Sequence, residues 1–310
     1  FLTSGEDYGG VRKKKPSRFL IEAGFVDTKP EPTGEVLFKQ KKNAIEETQD
    51  AGKKYLPKAF SFTQLTAYET CPWQYRFAHL LKVPVPGKPS FSFGKTIHST
   101  LYEFFHHMQE QEEMQQGGLF EQAKSEEVIP PSLEDLLKIY ESKWIAEWYY
   151  SKKQRDDYHK KGKDALKKFY KLHEKNWPKV LHLEKGFNLK LGEYTIKGAI
   201  DRVDQGDAGA EIIDYKTGDF PKTGKKDMKQ LYIYGLALQE VFKLDAEKLS
   251  YYYIESNKKI SEEIDAKKME KVQAWLLEII EKITQDDFSP TPGFHCKYCD
   301  FKEICEHRGK

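Results

Sequence analysis

Gly198-Ala-Ile-Asp-Arg-Val-Asp204 and Glu211-Ile-Ile-Asp-Tyr-Lys-Thr-Gly218 read as two adjacent apolar strands joined by the turn residues Gln205-Gly-Asp-Ala-Gly209. Asp201 and Asp214 come from neighbouring strands, and Lys216, two residues after Asp214, lies on the same strand face as that carboxylate. Two carboxylates so placed can hold a hard divalent cation, and the lysine can stand beside an activated water. A phosphodiester repels hydroxide, so its cleavage needs neutralised phosphoryl oxygens, an acidified water and a steadied leaving alkoxide. Oxygen ligands from Asp201 and Asp214 and the ammonium of Lys216 match those needs. An Asp-x-Lys triplet alone usually marks a solvated strand end or a surface ion pair, so the reading depends on its neighbours.

Upstream, Ser90-Phe-Ser-Phe-Gly-Lys-Thr-Ile-His-Ser-Thr-Leu-Tyr-Glu-Phe-Phe105 predicts a helix with Ile97, Leu101, Phe104 and Phe105 on its core face and His98 beside that stripe. Downstream, Gln230-Leu-Tyr-Ile-Tyr234 opens a second helix that sets Gln230 and Tyr234 one turn apart. Such an amide and phenol either touch a nucleic-acid backbone or simply cap and pack.

The ordered set Gly-x-x-x-His, Glu184 in Leu-Glu-Lys-Gly-Phe-Asn-Leu, Gly-x-x-Asp-Arg, Asp-Tyr-Lys-Thr-Gly and Gln-x-x-x-Tyr resembles the RecB-like branch of the PD-(D/E)XK nucleases over roughly residues 57 to 310. The resemblance implies that His98, Asp201 and Asp214 bind magnesium or manganese, assisted by the backbone carbonyl of Tyr215, and that Lys216 is the catalytic lysine. It further implies an accessory acidic role for Glu184, and DNA contact and support of the site for Gln230 and Tyr234.

The chain has four cysteines: Cys71, Cys296, Cys299 and Cys305. A C-x2-C pair with a third cysteine nearby and a fourth more than two hundred residues away suits a four-thiolate metal site, and the composition does not suit a secreted disulfide scaffold. Spacing alone favours zinc. The pattern also resembles the iron-sulfur staple of AddB-type and Cas4-type nucleases, and that resemblance implies a structural 4Fe-4S cluster instead, with zinc as the alternative.

At 310 residues and 38% hydrophobic content the chain can bury a substantial core. The net charge of +2 argues against bulk attraction to DNA, so a basic surface must be local; Lys222 to Lys226, directly after the lysine strand, is the candidate. Arg12 to Lys15, Lys152-Lys153, Lys160-Lys161 and Lys258-Lys259 read as solvated faces. No apolar run approaches the length of a membrane span and no signal peptide is visible, which predicts a cytoplasmic protein. Phe93-Gly-Lys-Thr96 is no phosphate loop, because Pro89 stands where its first glycine belongs.

Residues 1–26, with the Pro16-Ser-Arg-Phe-Leu-Ile-Glu22 segment, resemble the end of the motor domain of UvrD-like superfamily 1 helicases. That resemblance implies a helicase motor in the same parent chain, with 27–56 as a linker rich in Lys, Glu, Pro and Thr and 57–310 as the nuclease domain. The chain begins with Phe rather than Met, consistent with a processed chain or a fragment.

The expected fold class is α/β: a restriction-endonuclease-like core with a central mixed β-sheet flanked by helices, helical insertions at Leu133 to Tyr150 and Asp156 to Trp177, and a C-terminal cysteine cluster. The expected activity is that of a metal-dependent DNA nuclease, an exonuclease on single-stranded or duplex ends, in DNA repair or recombination. The competing readings are a stand-alone Cas4-like nuclease and a DNA-binding module of the same fold without the chemistry.

Overall fold

Strand formation from Tyr194 to Lys216 organises the rest. The computed structural model describes residues 57–116 and 130–308. Strand β1 is Ala59–Ser61, β2 Val180–Leu191, β3 Tyr194–Gln205, β4 Ala210–Lys216, β5 Ala246–Tyr253 and β6 Lys258–Glu263. β2 lies antiparallel along nearly all of β3, whose other edge takes β1 in parallel at Thr195 to Lys197 and β4 antiparallel from Arg202 to Gln205. β5 runs parallel to β4, and β6 closes the sheet antiparallel to β5. The sheet is therefore mixed, and the fold class is α/β as the sequence predicts.

Helices cover both faces. On one side α1 (Phe62–Thr70), α6 (Lys229–Phe242) and α7 (Ala266–Thr284) bury Leu65, Leu231, Leu276 and Ile280 against Ile196, Ile200 and Ile212. On the other, α3 (Pro89–Gln116), α4 (Leu133–Lys143) and α5 (Lys152–His173) bury Ile97, Leu101, Phe105, Leu136 and Phe169 against Ile213, Tyr215 and Tyr252. Each such side chain withdrawn from water contributes roughly 1.5–3 kcal/mol, offset by the entropy of ordering it. The short helix α2 (Pro72–Tyr75) continues as a π-helical turn, Arg76–Leu80.

Local chemistry explains most boundaries. Ser61 caps α1 in a reciprocal box with Gln64, as Ser132 caps α4 with Asp135. The helix expected from Leu133 to Tyr150 instead stops at Lys143, because Trp144 turns into the core and stacks on Tyr149 with centroids 5.5 Å apart. Ser151 then caps α5, which starts earlier than expected and ends at His173 rather than Trp177. Two strands lie beyond the reach of pattern reading: β1 has three residues, and β6, Lys-Lys-Ile-Ser-Glu-Glu, is a polar edge strand with one apolar side chain. The expected helicase tail, the linker and the Arg12 to Lys15 patch lie outside the described residues.

After α7 the chain is tied back to α1. The Tyr68 hydroxyl donates to the Asp287 carbonyl, Thr291 Oγ1 donates to the Thr70 carbonyl at 3.1 Å, and Phe288 packs on Tyr68 and Tyr75. These contacts bring the C-terminal cysteines to Cys71.

Gly198 is held to glycine by packing. A Cβ there would meet Cζ of Phe187, its cross-strand partner, at 2.7 Å, and that ring is in turn pressed edge-on against Tyr234. Gly198→Ala is expected to destabilise the domain by about 1–3 kcal/mol in chemical denaturation; an unchanged midpoint would show that the ring has room to move.

Candidate active site

Helix α3 delivers His98 to the sheet. One turn earlier, a Cβ on Gly94 would lie 3.3 Å from Thr217 Oγ1, so the glycine lets α3 close on the end of β4. His98 Nε2 donates to the Tyr215 carbonyl at 3.2 Å, while Nδ1 lies 3.5 Å from Asp201 Oδ2 and 3.9 Å from Glu184 Oε1. The Tyr215 amide donates to Asp201 Oδ2 at 2.8 Å. The main-chain N–H and C=O of one β4 residue, Tyr215, thus grip both side chains. Ligand atoms of His98, Glu184 and Asp201 all fall within 4.8 Å of one another.

A distortion of the sheet brings the acids there. Ile200 and Phe187 face the α6 side, whereas Arg202 and Leu183, at positions that should share that face, turn toward the α3 side. The reversal falls at Glu184 and Asp201, and Glu184 itself has a left-handed backbone, φ 42°. A bulky residue in that conformation is strained by about 1–2 kcal/mol. Nothing in the sequence signals the distortion.

Asp214 and Lys216 face the α6 side. Asp214 Oδ2 is buried, touches Lys216 Nζ at 2.5 Å and lacks any aligned hydrogen bond. Lys216 Nζ donates to Gln230 Oε1 at 3.0 Å, Gln230 Nε2 donates to the Tyr234 hydroxyl at 2.8 Å, and the ammonium lies 4.8 Å from the Tyr251 ring centre. The Gln-x-x-x-Tyr spacing therefore produces a rigid chain of groups that positions the lysine. Asp214 is not one of the three residues gathered within 4.8 Å; Glu184 is.

Charges crowd the site. Burial alone would lower the His98 pKa, but its contact with Asp201 and the charges of Asp201, Asp214 and Glu184 raise it to about 9. Burial, then the charge of Asp201, raises the Asp214 pKa against the pull of Lys216. Burial, then Asp201, does the same for Glu184. The same charges favour the protonated form of His98 in the midst of three carboxylates. A divalent ion would offset that crowding of carboxylates, the buried Asp214 among them.

Arg202 is a site residue that motif reading quotes without a role. Its side chain is 1% exposed, with Nε 2.9 Å from Asp204 Oδ1 and Nη2 3.0 Å from Asp204 Oδ2, and Nη1 donates to the Tyr215 hydroxyl at 2.6 Å. The guanidinium also lies 4.6 Å from the Phe105 ring centre. The signal available in the sequence is the Arg-Val-Asp spacing, which sets cation and anion on one strand face.

The four cysteines line one pocket, walled by Trp73, Phe77, Phe301 and His307. None of the four is joined in a disulfide. Burial raises the Cys299 pKa, with smaller contributions from Cys305 and Cys71.

A family model for the PD-(D/E)XK nuclease superfamily matches residues 59–306. The Gene 69 protein of Mycobacterium phage L5 is 28% identical over 130 residues, 40% of this chain, and the match spans 43% of that relative's length. The crystal structure of SSO0001 aligns with 80% of this chain and all of its own at a TM-score of 0.31 and 16% identity.

Two outcomes follow from the geometry. Asn tolerates left-handed backbone better than Glu, so Glu184→Asn is expected to leave the fold intact or raise its melting temperature while weakening divalent-metal binding, as read by calorimetry. The second concerns pH. His98 and Asp214 both hold a proton more tightly folded than unfolded, so their stabilisation is complete at low pH and is lost as pH rises. For His98 the loss runs from about 6.5 to about 9 and amounts to on the order of 3 kcal/mol. Metal-free protein should melt at progressively lower temperature across that range, and His98→Gln should flatten the slope.

Proposed function

Since the chain belongs to the PD-(D/E)XK nuclease superfamily, we propose that it is a metal-dependent deoxyribonuclease whose centre is the meeting point of α3, β3 and β4. The observation that supports this most strongly is the gathering of His98, Glu184 and Asp201 beside Asp214 and Lys216. His98, Asp201, Asp214 and the Tyr215 carbonyl would hold magnesium or manganese, with Glu184 as a further acidic partner. Such an ion offsets phosphate charge and acidifies a water.

The chain's own groups do the rest. Lys216 has three N–H donors; one reaches Gln230 and another faces Asp214, leaving one for a water or a phosphoryl oxygen. Tyr234 holds Gln230, so the ammonium cannot swing away. Water attacks phosphorus, the ester P–O bond breaks and the leaving oxygen takes a proton, giving a phosphate end and a hydroxyl end. The exposed lysines at 222, 225 and 226, on the loop leaving β4, would meet flanking phosphates.

The cysteine pocket would hold a 4Fe-4S cluster in this reading. Its role would be structural, joining the two ends of the domain. Exonuclease action, a repair or recombination role and a helicase motor in the parent chain rest on the sequence resemblance alone. No described helix is long and apolar enough to cross a membrane.

Asp214→Ala and Lys216→Ala are each expected to lower magnesium-dependent cleavage of labelled DNA by at least about 10³-fold with the far-UV spectrum unchanged. Full cleavage by both variants would refute the assignment. Protein purified without oxygen is expected to be brown and to contain iron and sulfide, and zinc by elemental analysis would replace the cluster but leave the nuclease reading standing.

A further inference from the structure

The metal-site face of α3 borders a cleft of about 540 Å³ lined by Lys95, Ser99, Tyr102, Glu103 and Lys143 together with His98 and Glu184. Positions 95, 98, 99 and 102 fall on one helical face, so the residues that meet the reacting phosphate and those along the cleft are carried by the same rigid element. We propose that this cleft receives a single strand of DNA on one side of the reacting phosphate, with Lys95 and Lys143 on its backbone and Tyr102 as a stacking platform for one base. The inference rests on the nuclease reading above and adds the form of the substrate.

Three features argue for that occupant. Lys95 is exposed and makes no ion pair or hydrogen bond among the described residues, although it lies one turn from a cluster of carboxylates that would attract it. An extended cation left unpaired beside the site is suited to a phosphate.

Glu103, the acid within the cleft, is already engaged: Lys143 Nζ lies 3.4 Å from one of its oxygens and His107 Nε2 3.5 Å from the other. The remaining acid, Glu184, is directed at His98. The carboxylates therefore do not close the cleft to an anion.

Tyr102 is half-buried and stacked on one side by His106, with centroids 5.5 Å apart and planes 18° from parallel. His106 is itself near Glu110, 3.7 Å away. A phenol ring backed on one face and bordering the cleft can take an unpaired base on the other. A base inside a duplex is covered on both faces and cannot stack there.

The test uses the full chain with calcium in place of magnesium, and compares binding of a fluorescent ten-residue oligothymidylate with a blunt duplex of equal length. Tyr102→Leu is expected to weaken single-strand binding about 5- to 100-fold, while Tyr102→Phe keeps it, because the ring and not the hydroxyl stacks. Lys95→Gln is expected to weaken binding and to lower the salt slope by about 0.7. Manganese affinity, measured separately, is expected to be unchanged in all three. Single-strand affinity within twofold of the parent in Tyr102→Leu and Lys95→Gln overturns the proposal, as does an equal loss on the duplex or a parent chain that binds no single strand. A parent that binds the strand and responds to these variants but never cleaves with magnesium overturns the nuclease reading instead.

Discussion

The main-chain N–H and C=O of Tyr215, in the two peptides that flank its Cα, are the constraint on which the site depends. Its N–H fixes Asp201 and its C=O accepts from His98, so a strand residue and a helix residue are registered on the same few atoms of backbone. Backbone in the middle of a sheet moves little, because the parallel ladder to β5 holds it on the other edge. The side chain of the same residue is clamped by Arg202, itself neutralised by Asp204 in the core. A buried ion pair is rarely a large source of stability, since desolvating both partners offsets their attraction. Here the pair makes sense as positioning: it holds the phenol of the residue whose N–H and C=O bind Asp201 and His98.

Electrostatics imposes the complementary constraint. Three carboxylates converge, and each raises the proton affinity of the others or of His98. The sheet distortion at Glu184 adds strain to that repulsion. A site of this kind is poorly suited to stand empty. It is tolerated because two large hydrophobic layers on either side of the sheet hold it in shape, and because a cation among the carboxylates would offset their mutual repulsion.

Much of this was legible in the sequence, for identifiable reasons. Alternating apolar residues reveal β3 and β4, and the i, i+2 and i, i+4 spacings place Lys216 beside Asp214 and Gln230 beside Tyr234. Those are short-range relations, which periodicity encodes. The mixed sheet and its flanking helices follow from the same patterns. Edge strand β6 was not legible, because an edge needs little apolar content, and β1 is too short for any period to show. The end of α4 was hidden because Trp144 and Tyr149 fit a helical stripe as well as the aromatic stack they form. The left-handed turn at Glu184 and the reach of Arg202 to the Tyr215 hydroxyl depend on contacts between distant parts of the chain, whereas the local Arg-Val-Asp spacing signals only the Arg202–Asp204 pair.

Diffraction from manganese-soaked crystals, recorded at the manganese absorption edge, tests the central claim most directly. One principal anomalous peak is expected roughly 2.0–2.3 Å from His98, the Asp201 and Asp214 carboxylates and the Tyr215 carbonyl oxygen. A strong peak elsewhere with no density among these groups, or a soaked crystal in which Asp201 and Asp214 point to separate ions with nothing between them, would contradict it.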